Sequence, residues 1–234
     1  MALRLASVNL HCGLDRLGAP FPAKEAIAGL DADVVLVQEN WGATGSGSLA
    51  AAAAADNGYP SFTELSMISD VELAALEVIG GSAPALRERG AWGLAVMSRV
   101  PWLRTSTIGI GAAPGDVVGA RVAQVVEFPG VRLVNVHLTH RLLHGPAQLR
   151  RLLRGLAADP MPTVIAGDLN MCRPTVHLAR PYRTAVRGRT WPSHRPLAQL
   201  DHFLISPDVT VTDARVAPDA GSDHLPIQAT VHTL

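Results

Sequence analysis

Cysteine, lysine and net charge are all scarce in this chain. Its two cysteines, Cys12 and Cys172, stand far apart in sequence. They allow one disulfide at most and exclude a disulfide framework, and free thiols are expected. Lys24 is the only lysine; arginine supplies every other basic side chain, and arginine is the better bidentate ligand for phosphate. Lys and Arg together number 20, and so do Asp and Glu, so the formal net charge is zero. The total therefore carries no sign of a strongly basic nucleic-acid binder. No apolar run reaches transmembrane length, since the alanine tract at 50–55 is too short. The first ten residues already read as a strand with Arg4 inside it, not as the apolar region of a signal peptide. A soluble, cytoplasmic protein is the expectation.

What is present is apolar. Of 234 residues, 48% are hydrophobic, enough for a sizeable core and against global disorder. Short apolar runs alternate with turn residues. Leu3–Leu10, Val34–Val37, Gly93–Ser98, Trp102–Ile110, Val117–Phe128, Val131–Leu138, the apolar run within Met161–Asn170 that Gly167 breaks, Leu200–Ser206, Val209–Val216 and Leu225–Val231 read as strands. Pro129-Gly130 marks a hairpin between two of them. Val131, Leu133, Asn135 and His137 share one face of their strand. Phe21–Leu30 and Gly145–Ala157 read as helices. Between Asn40 and Arg89 the pattern is weakest, with helical spacing over Val71–Ile79, and a helix pair with loops is expected there. About ten strands with few helices, joined by hairpins and crossovers, imply two packed mixed sheets flanked by helices in one domain spanning 1–234. A variable insertion is expected around 42–90.

The chemistry sits at strand ends. Asn9, Glu39, His137, Asp168 with Asn170, Asp201 and the pair Asp223-His224 each stand where a strand starts or stops. Ligands of open α/β sheets bind at such edges. For Gly167-Asp168-Leu169-Asn170 there is also a plainer reading, an Asx turn that caps the strand. A second feature is electrostatic: no acidic residue lies between Asp168 and Asp201, while Arg173, Arg180, Arg183, Arg187, Arg189 and Arg195 do. That segment reads either as a solvated loop or as a wall facing phosphate.

The stretches Ser-Val-Asn-Leu-His at 7–11, Val-Gln-Glu at 37–39, Gly-Leu-Ala-Val-Met-Ser-Arg at 93–99, Asn-Val-His-Leu at 135–138, Gly-Asp-Leu-Asn at 167–170, Leu-Asp-His at 200–202 and Ser-Asp-His-Leu-Pro at 222–226 occur in this order over almost the whole chain. In them the chain resembles the endonuclease/exonuclease/phosphatase superfamily of DNase I-like enzymes. The resemblance implies a four-layer α/β sandwich and hydrolysis of phosphate esters with Mg²⁺ or Mn²⁺. It implies Glu39 as the main metal ligand, with Asn9 and Asp223 beside it. His224 would be the acid/base and Asp201 its partner. Asp168 would orient or activate water, or pass a proton to the leaving group, and His137 and Asn170 would bond the phosphate oxygens. Arg99, Arg173 and Trp191 are the candidate substrate contacts.

The first motif, Ser-Val-Asn-Leu-His-Cys-Gly, departs from the Trp-Asn-x-Asn-Gly of abasic-site nucleases and is similar to a generic bacterial and sphingomyelinase-like branch, as is Thr190-Trp191-Pro192. No membrane-binding hairpin stands out, and stable membrane insertion is not expected. A nuclease acting on DNA or RNA is the first expectation. A phosphodiesterase or phosphatase for a lipid or small molecule is the alternative. A non-catalytic scaffold is third, since such a scaffold has no physical need for so many converging acids.

Overall fold

The computed structural model describes residues 2–76 and 88–232. Its strands form two six-stranded sheets. The first comprises β1 (Ala2–Asn9), β2 (Val34–Ala43), β3 (Ser61–Glu72), β4 (Arg89–Ser98), β11 (Thr210–Val216) and β12 (Ile227–His232), in the order β11-β12-β1-β2-β4-β3. The second comprises β5 (Arg104–Ala112), β6 (Ala120–Phe128), β7 (Val131–His137), β8 (Thr163–Asp168), β9 (Arg183–Thr184) and β10 (Asp201–Ile205), in the order β5-β6-β7-β8-β10-β9. Helices α1 (Ala23–Gly29) and α2 (Leu49–Asp56) cover the outer face of the first sheet; α3 (His144–Ala157) covers the second, and α4 (Arg173–Val176) is a single turn. This is the four-layer α/β sandwich expected from the sequence.

Residue alternation explains the layering. Leu3 and Leu5 point between the sheets, where they meet Leu36, Leu133, Val164, Ala166 and Phe203, while Ala6, Val8 and Leu10 face α1 and α2. On β7, Val131 and Leu133 face the sheet interface and Val134 and Val136 face α3. The period of two thus sends every second residue into a different core. Followed toward one edge, the interface turns polar. Ser7, Gln38 and Asn135 form a buried layer in which Gln38 Nε2 donates to Asn135 Oδ1 at 2.6 Å. Asn135 Nδ2 in turn donates to the carbonyls of Val37 and Ala95, both at 2.9 Å. These bonds tie the two sheets together just beneath the site.

The segment expected to be a helix pair with loops differs in part. One helix, α2, forms there. Residues 61–72, however, build β3, the edge strand of the first sheet, paired along β4 through two register shifts. The helical spacing from Val71 is not realised: Val71 and Glu72 end β3, and Leu73–Leu76 is a 3₁₀ turn. Ile79 lies outside the described residues. Cys12 is buried, Cys172 is exposed, and both are free thiols. Among the described residues, no helix is long and apolar enough to cross a membrane.

Candidate active site

The last inward-facing positions of β1, β7 and β8, and the first of β10, hold Asn9, His137, Asp168 and Asp201. Register makes them neighbours: His137 pairs with Asp168 across parallel strands, and Asp201 pairs with Asp168 across antiparallel ones. The sheets close on one another here, so Asn9 Nδ2 reaches Asp168 Oδ2 at 3.3 Å.

Glu39 arrives differently. Strict alternation would send it to the α1 and α2 face with Val35 and Val37. The β2–β4 register instead shifts between Val37 and Asn40, and Glu39 takes a φ of 50°. Such a bulge re-aims a side chain. The carboxylate then accepts from Asn9 Nδ2 at 2.9 Å and lies 3.8 Å from His137 Nε2.

Gly167 makes the other close approach. With a φ of 137°, it places the point where a Cβ would stand 2.0 Å from the Val136 carbonyl oxygen, which only glycine avoids. Past it, the Asn170 N–H donates to Asp168 Oδ1 at 2.8 Å. The Asx turn is real. The same residue presents its second oxygen to the cluster.

Asp168 Oδ2 is the shared atom. It lies 3.5 Å from His137 Nε2 and 3.7 Å from His224 Nε2. Asn170 Nδ2 stands 3.2 Å from His137 Nε2 and donates to the Leu138 carbonyl at 2.9 Å. On its far side, His224 Nδ1 is 2.8 Å from Asp201 Oδ2. Two compact groups result, Glu39–His137–Asp168 and Asp168–Asp201–His224. Either has the donor set for a divalent cation.

Burial sets the protonation states. Asp168, out of water and beside Asp201, is pushed up to about 7, against the pull of His224. Glu39 is raised, chiefly by burial. His137 is held well below the imidazole range by burial and by Arg121. For His224 burial acts downward, but Asp201 and then Asp168 outweigh it and hold the imidazole well above its ordinary value. Like-charged carboxylates crowded in an apolar setting favour a cation among them.

Asp223 lies at the rim, where its Oδ2 accepts from Trp191 Nε1 at 3.2 Å. It is outside both compact groups. Asn9 turns its amide N–H₂ toward Glu39 and Asp168, while its oxygen accepts from the His11 amide at 2.9 Å. As placed, it orients the two carboxylates.

The pocket over the cluster measures about 280 Å³. Its walls include residues that were not singled out from sequence: His11, Trp92, Asp116, Arg121 and His140. Trp92 lies under His137 with ring centroids 5.2 Å apart, and Arg121 pairs with Asp116 at 2.9 Å. Only the position of His11, inside a polar strand exit, gave a signal.

The three expected substrate contacts separate. Trp191 is beside the site, its ring 6.5 Å from that of His224. Arg173 opens onto another cavity, of about 610 Å³, together with Arg180, Arg183 and Arg187. Arg99 is not brought to the site. Its backbone amide bonds Asp33, its guanidinium pairs with Asp31 at 3.2 Å and lies over Tyr59, all at the start of β2, the edge opposite Glu39.

Two packed mixed sheets with a buried carboxylate–imidazole cluster at their common edge define a class of α/β-sandwich proteins of the DNase I-like kind. The family model described as "Endonuclease/Exonuclease/phosphatase family" matches residues 6–224, and the chain belongs to that family of phosphoester hydrolases. It is similar to an endonuclease/exonuclease/phosphatase structure from Beutenbergia cavernae, at 22% identity over 99% of this chain and 72% of the other, with a TM-score of 0.73. A mannosyl-6-phosphatase from Bacteroides thetaiotaomicron shares 13% identity over 98% and 99% of the two chains, with a TM-score of 0.69. A humanized TDP2 from D. rerio shares 20% over 99% of each chain, with a TM-score of 0.64. At these identities the likeness is one of fold. No curated protein matches the chain by sequence.

Proposed function

We propose that the chain is a divalent-metal-dependent phosphodiesterase. The observation that carries this reading is the meeting of Glu39, Asp168 and His224 on one buried edge, with Asp168 Oδ2 between the two imidazoles. The residues fit a hard cation: Glu39 Oε2 is buried without a hydrogen-bond partner, and carboxylate oxygen is what Mg²⁺ or Mn²⁺ takes. Glu39 and Asp168 would hold the ion, with Asp223 near by. When bound, it would supply positive charge to the phosphoryl oxygens.

The chain's own groups do the rest. Asn9 fixes both carboxylates. His224, cationic against Asp201, is placed to hold and move a proton at Nε2. His137, kept neutral, and Asn170 offer hydrogen-bond donors to the phosphoryl oxygens. Asp168 orients water at the same centre.

Read from sequence, the arginine-rich segment fits a nucleic-acid or a smaller phosphodiester equally. Four of its arginines line the separate cavity, and the arginine that lines the catalytic pocket, Arg121, is buried against Asp116. That arrangement favours a lipid or small-molecule phosphodiester over DNA or RNA. Turnover of bis-p-nitrophenyl phosphate, thymidine oligonucleotides and a phosphodiester lipid, each with Mg²⁺ or Mn²⁺, tests the reading. Metal-dependent turnover of the soluble diester abolished in Glu39→Gln supports it; turnover that survives chelation overturns it.

A further inference from the structure

Four arginines converge away from the catalytic pocket. After Asn170 the chain passes through α4 and a 3₁₀ turn (His177–Ala179) and returns as β9, the edge strand of the second sheet. Val176 and Ala179 anchor this arm in the core that α3 covers. The arm lines a cavity of about 610 Å³, to which it contributes Arg173, Arg180, Arg183 and Arg187. The cavity and the catalytic pocket have no lining residue in common. Packing of the arm needs its apolar anchors, and it needs none of the four guanidiniums. Those of Arg173, Arg180 and Arg187 hold no hydrogen bond or ion pair among the described residues, and Arg173 Nε is buried without a partner. A buried donor left unbonded costs stability, so an acceptor from a ligand is what this group lacks.

The charge of the cavity is not cancelled by its surroundings. No acidic residue occurs between Asp168 and Asp201. Of the elements packed against the arm, α3 contains no carboxylate, and the one on β10, Asp201, is buried and turned to His224. Asp159, after α3, is taken by Arg104 and Arg132. Asp208 stands beside Val209, whose carbonyl accepts from Arg183 at 3.2 Å, yet it makes no ion pair with any of the four. With Asp208 counted against them and His177 counted as neutral, the guanidiniums still leave the cavity strongly positive.

Each guanidinium fork pairs with two oxygens of a phosphate, and two forks balance the charge of one phosphate, so four call for more than one. The volume falls within the range of small-ligand pockets, about 300–1,000 Å³. The rest of the wall, with Val176, Pro181 and Tyr182, suits a ring or sugar body. A nucleic-acid strand needs a basic track leading onward, and the residues that join the cavity to Asn170, Met171 and Cys172, carry no charge. We propose that this cavity is a second ligand site, separate from the catalytic centre, for a small organic molecule bearing two or more phosphate groups. The proposal does not depend on the phosphodiesterase reading.

The test is calorimetric titration of the full chain with inorganic phosphate, pyrophosphate and adenosine triphosphate. EDTA is present throughout, so that no divalent cation bridges phosphate to the catalytic cluster. Wild type should bind both polyphosphates at least about tenfold more tightly than inorganic phosphate. R180S/R187S changes two exposed arginines outside the catalytic pocket. It should keep the wild-type urea midpoint and bind both polyphosphates at least about tenfold more weakly. R180K/R187K, which keeps the charge and loses the forks, should also bind them more weakly than wild type. Wild type that binds neither polyphosphate, or binds inorganic phosphate as tightly, overturns the proposal. So do variants that bind like wild type. A single-stranded oligonucleotide that displaces pyrophosphate and binds more tightly than adenosine triphosphate also overturns it, since the cavity then belongs to a strand path. The two readings fail separately. Turnover of a soluble diester without polyphosphate binding in EDTA refutes the second site and spares the hydrolase; binding lost in R180S/R187S by a protein without turnover supports the site and refutes the hydrolase.

Discussion

Asp201 Oδ2 lies 2.8 Å from His224 Nδ1, behind the imidazole, while His224 Nε2 faces Asp168 at 3.7 Å. The first contact fixes the tautomer and stabilises the cation; the second delivers the ring to the reacting centre. Under the proposed function, this division would make Asp201 a positioning residue and His224 the proton carrier. Replacing His224 by Ala is expected to lower kcat on bis-p-nitrophenyl phosphate by about 10²–10⁴-fold. Asp201→Asn should cost less. It should also move the His224 limb of the pH–rate profile to lower pH, because the anion that raises this imidazole is gone. An unmoved limb would mean that Asp201 only fills space.

Glu39 owes its position to a bulge, so its charge and its geometry can be tested apart. Glu39→Gln keeps the shape and the bond from Asn9 within reach but removes the charge. Calorimetric titration with Mn²⁺ should show wild-type binding that weakens by at least about tenfold in the variant. Equal affinity would put the cation elsewhere.

Gly167 is a test of the backbone. A methyl group there meets the Val136 carbonyl at 2.0 Å and sits at a φ of 137°. Gly167→Ala should lower stability by about 1–3 kcal/mol or more, read by urea denaturation. A variant as stable as wild type would show that the β7–β8 exit relaxes freely.

His202, next to Asp201, is buried with Nε2 against the carbonyls of Met171 and Gln199, and burial lowers its pKa below the ordinary 6.5. The folded state thus binds fewer protons than the unfolded chain in the window beneath that value. Stability is full above it and falls with pH through the window down to the folded pKa. The stabilisation that His202 contributes should shrink between about pH 7.5 and about pH 5.5, read as the gap in urea midpoint between wild type and His202→Asn. His202→Asn should be the less stable of the two at the higher pH, and the gap should narrow as pH falls. His137 shifts in the same direction, while His224 and Asp168, raised in the folded state, act the other way on the total, so the comparison of the two proteins isolates His202.

Much of this was legible because burial and chemistry leave periodic marks. The strands announced themselves by apolar runs, and Asn9, His137, Asp168 and Asp201 by standing at their ends. Four things left no such mark. The bulge that turns Glu39 inward is a matter of register between β2 and β4, which neither strand shows alone. β3 alternates poorly because it is a half-exposed edge strand with two register shifts, so its tail reads equally well as a helix. The arginines at 173–187 follow Asn170 closely in sequence, yet their chain turns away to a different cavity. Arg99 ends a strand that runs antiparallel to β2, so its place in the motif puts it at the wrong edge.

The most direct test of the account is hydrolysis of bis-p-nitrophenyl phosphate by metal-stripped wild type and by Asp168→Asn, with Mg²⁺ or Mn²⁺ titrated back. Wild type should regain turnover with the metal, and the variant should stay lower by about 10³-fold at every concentration. Wild type that remains inactive with both ions, or an Asp168→Asn protein that works as well as wild type, would contradict it.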